Sequence, residues 1–473
     1  MSYNPSGDVL IGIDYEKWHK SQQQEPIYWR ESAISNAHVG VAGTSGSGKT
    51  HWIREFVSHM PEGVEVDIFD YHDDIRVDGA GEVLFSSSNR YGFNPLVLNP
   101  DPHYGGVTRC IKDVIEAINS TSRQLGPQQE RVLTNLLTDV FALRGVYERD
   151  PRTWVKREAS DEELEQMRAE RKWSDINQCY PTLRDVANFA TRKLKALWLG
   201  FEDRKEGQQA LNAFDDYTKT VVALQRARTN AAKARAEVEG DEGLLTKLAD
   251  AKEKAMTAYH NFLSTMETGR EFDEVMKYNS KEVLLSVIGR LENLISTGLF
   301  TPRTPPFGNA RIRRYRIKPL AQSPDELKMF VRFRLHALIR KLMQQGETPG
   351  HRLRHFVVLD ESKKFNSEDA DNPINVWVNE MRKFGGAIML AGQSPEHFSS
   401  DFIKNAGTLL LLNLATADWD GAARKLKIDP KALRFLQPRS TAAVRMLEIG
   451  RPAEFRAVQL VASPNAANNG AAA

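Results

Sequence analysis

"HVGVAGTSGSGKTHWIREFVSHM", residues 38–60, decides the fold. Its opening "HVGVAG" alternates and carries β-branched residues, which predicts a strand over 38–43. Further on, Trp52, Ile53, Phe56 and Val57 recur at helical spacing, which predicts a helix over 48–60. "VEVDIFD" (64–70) predicts a second strand. Strand, helix and strand in so short a span form a βαβ unit, whose strands run parallel. Between the first strand and the helix stands "GTSGSGKT", which fits the phosphate-binding loop pattern in the context that confirms such a match.

The chemistry of that loop follows from its residues: Gly43, Thr44, Ser45, Gly46, Ser47, Gly48, Lys49 and Thr50. Three glycines let backbone N–H groups wrap phosphates, and the helix N-terminus adds a favourable dipole. Lys49 is long enough to reach β and γ phosphates, and Thr50 offers a hydroxyl to Mg²⁺. The ligand expected here is ATP with Mg²⁺.

Four more apolar runs lie far downstream: "HFVVLD" (355–360), "GAIMLAG" (386–392), "GTLLLLNL" (407–414) and "STAAVRML" (440–447). Continuous apolar runs are what buried parallel strands look like. The first ends on Asp360-Glu361. Beside a phosphate loop, Asp360 is a candidate to hold Mg²⁺ through its water shell, and Glu361 to act as general base on the attacking water. The competing reading is an acidic pair that caps a strand. The second run ends on Gln393. If its strand neighbours that of Asp360, the amide faces the γ-phosphate and the water; otherwise it bonds loop backbone.

Asn372-Pro373 marks a helix start and Gly385-Gly386 its end. Arg382 sits in the last turn. It is either an arginine finger for a neighbouring subunit's nucleotide or a charge that answers the helix dipole. "DIFDYHDDI" (67–75) sets Asp70, His72, Asp73 and Asp74 just after the second strand, where a supporting role near the nucleotide is favoured over a separate metal. The basic runs are "RIRRYRIK" (311–318) and the helix over 326–343 with Arg332, Arg334, Arg340 and Lys341. They either line a channel that tracks nucleic-acid phosphates or form solvated faces.

Between 100 and 350 the pattern turns helical, with amphipathic stretches at 128–147 and 180–197. Residues 204–275 read as an antiparallel helical hairpin with its turn at Gly240–Gly243. The expected organisation is an N-terminal β-hairpin segment over 1–37, an ATPase core over 38–100 and 350–462, and a mainly helical insertion over 101–349. A disordered tail is expected over 463–473.

Composition sets bounds. The chain has 473 residues and is 41% hydrophobic, so a large core is available. Lys+Arg 64 against Asp+Glu 62 gives net +2, which neither demands nor excludes nucleic acid. Two cysteines without close spacing argue against a disulfide framework or a cysteine metal site and fit a reducing cytosol. No signal-peptide pattern opens the chain, and no apolar run reaches the ~20 residues of a membrane helix. A cytoplasmic protein with no membrane contact is expected.

Taken in order, "NAHVGVAGTSGSGKT", "VDIFDYHDD", "YGFNPL" (91–96), "LDES", "MRKFGGAIMLAGQSPEHF" and "NAGTLLLLNL" resemble the HerA/FtsK superfamily of pumping ATPases. Within it they look closest to the HerA branch and the related conjugative and type IV secretion ATPases. The similarity spans residues 30–100 and 350–460; "PTLRDV" (181–186) resembles that branch more weakly. It implies a RecA-like α/β core with a mainly parallel sheet, and a hexameric ring with ATP between subunits. It also implies DNA or a polypeptide drawn through the pore. It carries Lys49, Thr50, Asp360, Glu361 and Gln393 onto the nucleotide site and supports Arg382 as a trans-acting residue. The family's usual N-terminal β-barrel has no counterpart in the short segment before residue 38. The leading expectation is a double-stranded DNA translocase that works with a nuclease or other effector in DNA processing or anti-phage defence. The alternatives are a secretion or conjugation motor and a nucleotide-bound scaffold ring.

Overall fold

In the computed structural model, eleven strands form one sheet. They are β1 (Val9–Asp14), β2 (Pro26–Trp29), β3 (Val39–Ala42), β4 (Glu65–Asp70), β5 (Gly81–Leu84), β6 (Ile312–Arg316), β7 (His355–Leu359), β8 (Gly386–Gly392), β9 (Thr408–Leu411), β10 (Thr441–Met446) and β11 (Phe455–Gln459). Their order is β2-β1-β11-β10-β9-β3-β8-β7-β4-β6-β5. The residues described are 8–121, 124–199, 205–234, 241–264, 277–278, 281–365 and 372–460. The tail over 463–473 lies outside them, as does the 265–275 end of the expected hairpin.

From β9 to β5 the strands pair in parallel, as an α/β fold requires. β10 does not. It runs antiparallel to β9 and β11, and the N-terminal hairpin of β1 and β2 extends this antiparallel end by pairing β1 with β11. The expectation that all the apolar runs run parallel is corrected at β10. A strand buried on both faces has the same apolar sequence in either direction. β5 and β11 escaped the sequence reading; both are short and partly exposed.

Registers place Val39 and Val41 beside Met389 and Ala391, and Val358 beside Ile68, on one sheet face. The helix Lys49–Ser58 lays Trp52, Ile53, Phe56 and Val57 onto that face. On the other face Phe69 stacks on Tyr315 at 4.7 Å, and Phe85 meets both Tyr315 and Phe330. The helix Pro373–Glu380 opens where expected: the Asn372 side chain accepts from the Ile374 N–H at 2.9 Å, with proline next. A tighter turn, Met381–Phe384, follows, and Gly385 at φ 74 ends it.

The chain divides into two compact units: Met1–Gln124 with Ala159–Leu164 and Thr297–Ala473, and Leu125–Glu158 with Glu165–Ser296. The sheet belongs to the first. In the second, the helices Pro127–Leu143, Leu183–Leu199 and Lys281–Ser296 pack together. "PTLRDV" forms a capping box there: the Thr182 N–H donates to Asp185 Oδ2 at 2.9 Å, and the Asp185 N–H to Thr182 Oγ1 at 3.3 Å. Buried Arg144 then spans Asp185 and the Ile176 carbonyl, each at 2.7 Å. The helices Lys205–Ala234 and Asp241–Ser264 run antiparallel, with Ala210 and Leu211 at the start of one against Phe262 at the end of the other. The second helix includes Gly243, while residues 235–240, with Gly240 of the expected turn, lie outside those described.

Candidate nucleotide-binding and hydrolysis site

β3 lies between β8 and β9, so the loop that follows it is held from both sides. The Gly43 N–H donates to the Gly392 carbonyl at 3.1 Å, and the Thr44 N–H to the Asn413 carbonyl at 2.8 Å. A Cβ on Gly43 would stand 2.6 Å from Ser47 Oγ and 2.8 Å from Leu412 Cβ, so glycine alone fits. Gly48, at φ 102, opens the helix from a left-handed backbone. Thr44, Ser45, Gly46, Gly48, Lys49 and Thr50 line a cavity of about 860 Å³, while Gly43 and Ser47 lie buried beneath it. Lys49 Nζ donates to the Gly43 carbonyl and, at 3.1 Å, to that of Thr44. Partial burial lowers its pKa, against the pull of Asp360, Glu361 and Asp74.

The acids arrive on β4 and β7, which are parallel neighbours. Asp70, fully buried at the end of β4, accepts N–H bonds from Asp73 at 2.7 Å, Asp74 at 3.3 Å and Ile75 at 2.9 Å. That turn aims Asp74 at Thr50, whose Oγ1 donates to Asp74 Oδ2 at 3.1 Å. It also brings the His72 N–H to Asp360 Oδ2 at 3.3 Å. Asp70, Asp74 and Asp360 each place a carboxylate oxygen within 4.8 Å of the others. Burial, followed by repulsion from Asp70, Asp74 and Glu361, pushes the Asp360 carboxyl up to about 6 despite the opposing His72. A crowded, all-oxygen donor set with a hydroxyl beside it fits a hard divalent cation such as Mg²⁺, which would relieve that repulsion.

Glu361 takes φ 54 and ψ 52, a left-handed backbone that disfavours a β-carbon by about 1–3 kcal/mol. Its carboxylate is held at both oxygens: Gln393 Nε2 donates to Oε1 at 3.3 Å, and His72 Nε2 lies 3.5 Å from Oε2. β7 and β8 are parallel neighbours, the condition set for Gln393 to face the site. Asp360, Glu361 and Gln393 therefore share the cavity with Lys49 and Thr50.

Arg382 is not brought there. It precedes β8, whereas Gln393 follows it, so seven strand residues and about 20 Å separate them. Arg382 lines a second groove of about 2510 Å³, with Arg352 and Arg354.

Arg439 was missed by the sequence reading. Its Nε donates to the Gly46 carbonyl at 3.3 Å and its backbone N–H to that of Ser47 at 3.3 Å, from φ 58 at the cavity wall. It stands in an unremarkable "QPRS" before β10, and only its left-handed backbone sets it apart.

The basic runs turn inward. Arg311 donates to the carbonyls of Pro61 and Val64, and Arg313 to Glu65 and Asp67. Arg314, 1% exposed, meets Asp70, Asp73 and Glu82. Arg316 pairs with Asp73, Arg332 with Glu116, Arg340 with Asp113 and Lys341 with Glu65. Arg334 donates to Tyr315 Oη at 2.9 Å. Arg313, Arg314, Arg316, Arg332, Arg340 and Lys341 thus have their charges paired within the chain, which counts against a phosphate-tracking channel built from them.

No protein-family model and no curated protein matches the chain. Among solved structures, VirB4 of Thermoanaerobacter pseudethanolicus matches over 97% of each chain, with a TM-score of 0.58 at 12% identity. The chain has the VirB4 fold. The genome packaging NTPase B204 from Sulfolobus turreted icosahedral virus 2, solved with ATP-γS, matches 36% of this chain and 71% of its own at 9% identity and a TM-score of 0.25. The cytoplasmic domain of the Thermomonospora curvata Type VII Secretion ATPase EccC matches 98% of this chain and 29% of its own at 11% identity and a TM-score of 0.29. Neither of these two bears on the site. The likeness is one of fold, and it agrees with the expected α/β core with a mainly parallel sheet.

Proposed function

We propose that this chain is an ATP-hydrolysing motor of the HerA/FtsK type that works as a hexameric ring and moves double-stranded DNA. We further assign it a nuclease or another effector as partner, in DNA processing or anti-phage defence, and a place in the cytoplasm. The observation that carries the reading is the meeting of Lys49, Thr50, Asp360, Glu361 and Gln393 on one cavity.

In this reading, loop N–H groups and Lys49 hold the β and γ phosphates of ATP. Thr50, Asp74 and Asp360 are the residues that would hold Mg²⁺. When bound, the ion neutralises charge on the phosphates. Glu361 accepts a proton from the attacking water as the water oxygen bonds to the γ-phosphorus and the bond to the departing ADP breaks. Gln393, uncharged, donates toward the γ-phosphate and accepts from the water. Arg382 serves the nucleotide of the adjacent subunit.

A second reading, a secretion or conjugation motor, gains from the pairing of the β6 arginines within the sheet, which leaves them unavailable to DNA. One experiment separates the two. ATP turnover by the purified protein, and by Lys49→Ala as control, is measured with and without duplex DNA across a salt series. Stimulation that fades with salt supports the DNA motor. Turnover indifferent to DNA moves the assignment to secretion or conjugation, and binding without turnover moves it to a scaffold ring.

A further inference from the structure

His72 has no part in the hydrolysis just described, yet it is held with care. Its backbone N–H is fixed by Asp360 Oδ2 at 3.3 Å, and its ring meets Tyr71 edge-on at 5.0 Å between centroids. From there Nε2 faces Glu361 Oε2 at 3.5 Å, on the oxygen that Gln393 leaves free. The Glu361 side chain is 10% exposed and that of His72 51% exposed, so the imidazole is open to solvent while the acid is largely shielded.

A general base works only if its carboxylate points at the water. Glu361 starts from a backbone that does not favour its side chain, and a single hydrogen bond from Gln393 leaves the carboxylate free to swing about that contact. A second contact on the other oxygen removes this freedom. We infer that His72 is a positioning residue for Glu361, setting the carboxylate plane together with Gln393. The inference rests on Glu361 being the base.

Because His72 acts through Glu361, its loss should be felt only where Glu361 works. The test compares His72→Ala, Glu361→Gln and the double variant in single-turnover hydrolysis, with ATP affinity measured by a fluorescent analogue. His72→Ala is expected to lower the rate about tenfold while ATP affinity changes less than about twofold. Added imidazole should restore part of the rate, since the site is open to solvent. In the Glu361→Gln background, removing His72 should cost nothing further. A His72→Ala rate within twofold of wild type overturns the assignment. So does an imidazole-insensitive loss, or losses that multiply in the double variant. If His72→Ala loses its cooperative thermal transition, His72→Phe, which keeps a ring and has no donor, carries the same comparison of rate and ATP affinity. Wild-type protein that binds ATP without turning it over would instead remove the hydrolase reading on which the inference stands.

Discussion

Gln393 Nε2 donates to Glu361 Oε1 at 3.3 Å, joining the first polar side chain beyond β8 to the second of the two acids beyond β7. Two parallel neighbours thus deliver an amide and a carboxylate to one point. If that point is where water attacks, Glu361→Gln keeps the shape and removes the proton acceptor. ATP affinity should stay close to wild type, and phosphate release should fall by at least about a hundredfold. Equilibrium binding beside a phosphate-release assay checks this. Rapid remaining release would take the base role away from Glu361.

Arg382 stands at the far end of β8 from its own cavity, so any nucleotide it serves belongs to another subunit. In the ring proposed above, Arg382→Ala and Glu361→Gln assemblies should each be nearly inactive. Mixed rings should recover a measurable fraction of turnover, because some interfaces then pair an intact Arg382 with an intact Glu361. Mixed rings confirmed by native mass spectrometry that stay inactive would count against a role in trans.

The left-handed backbone at Glu361 predicts a gain in stability from losing the side chain altogether. Glu361→Ala and Glu361→Gly both remove the carboxylate, but only the second removes the β-carbon. The glycine variant should be more stable than the alanine variant by about 1 kcal/mol. Chemical denaturation of the pair decides it. Equal midpoints would show that the conformation carries no strain.

His38 makes the fold acid-sensitive. It is fully buried, accepts the Ile388 N–H at Nδ1 at 3.1 Å and therefore donates from Nε2 to the Val378 carbonyl at 3.1 Å. Burial, helped by the charge of Arg382, lowers its pKa from 6.5 to about 4. The unfolded chain takes up this proton as pH falls through 6.5, and the folded chain only near 4. The contribution of this residue should therefore decline as pH drops across that window, by about 3 kcal/mol, and be flat above it. Asp360, raised to about 6, contributes in the opposite direction over much of the same window. The test is therefore the difference between wild type and His38→Asn in denaturation midpoints at pH 7.5, 5.5 and 4.5: wild type should lose stability relative to the variant as pH falls.

The phosphate loop, its flanking strand and helix, and the strands that end at Asp360 and Gln393 were legible because each has its own local pattern. Gly43, Lys49 and Thr50 are six or seven residues apart at most, and their geometry is a property of one short segment. The direction of β10 was not legible, because Thr441–Met446 is apolar on both faces and nothing local records which way its neighbour runs. The fate of the arginines was hidden for a related reason. Arg313 and Arg314 meet Asp67 and Asp70, which lie far away in sequence, so an unpaired and a paired arginine read alike. His72 was seen but not placed, since its partner Glu361 is equally remote.

The loop at 43–50 is pinned by Gly392 and Asn413, and its cavity is walled by Asp360, Gln393 and Arg439. A ribosome would therefore release the phosphate loop long before the segments that shape it. Until those arrive, β3 has neither of its sheet neighbours, and the nascent chain has no means of consuming ATP. Pairing over such a span is slow and leaves apolar strands uncovered meanwhile. An unfinished chain therefore carries this uncovered apolar surface until its last strands arrive.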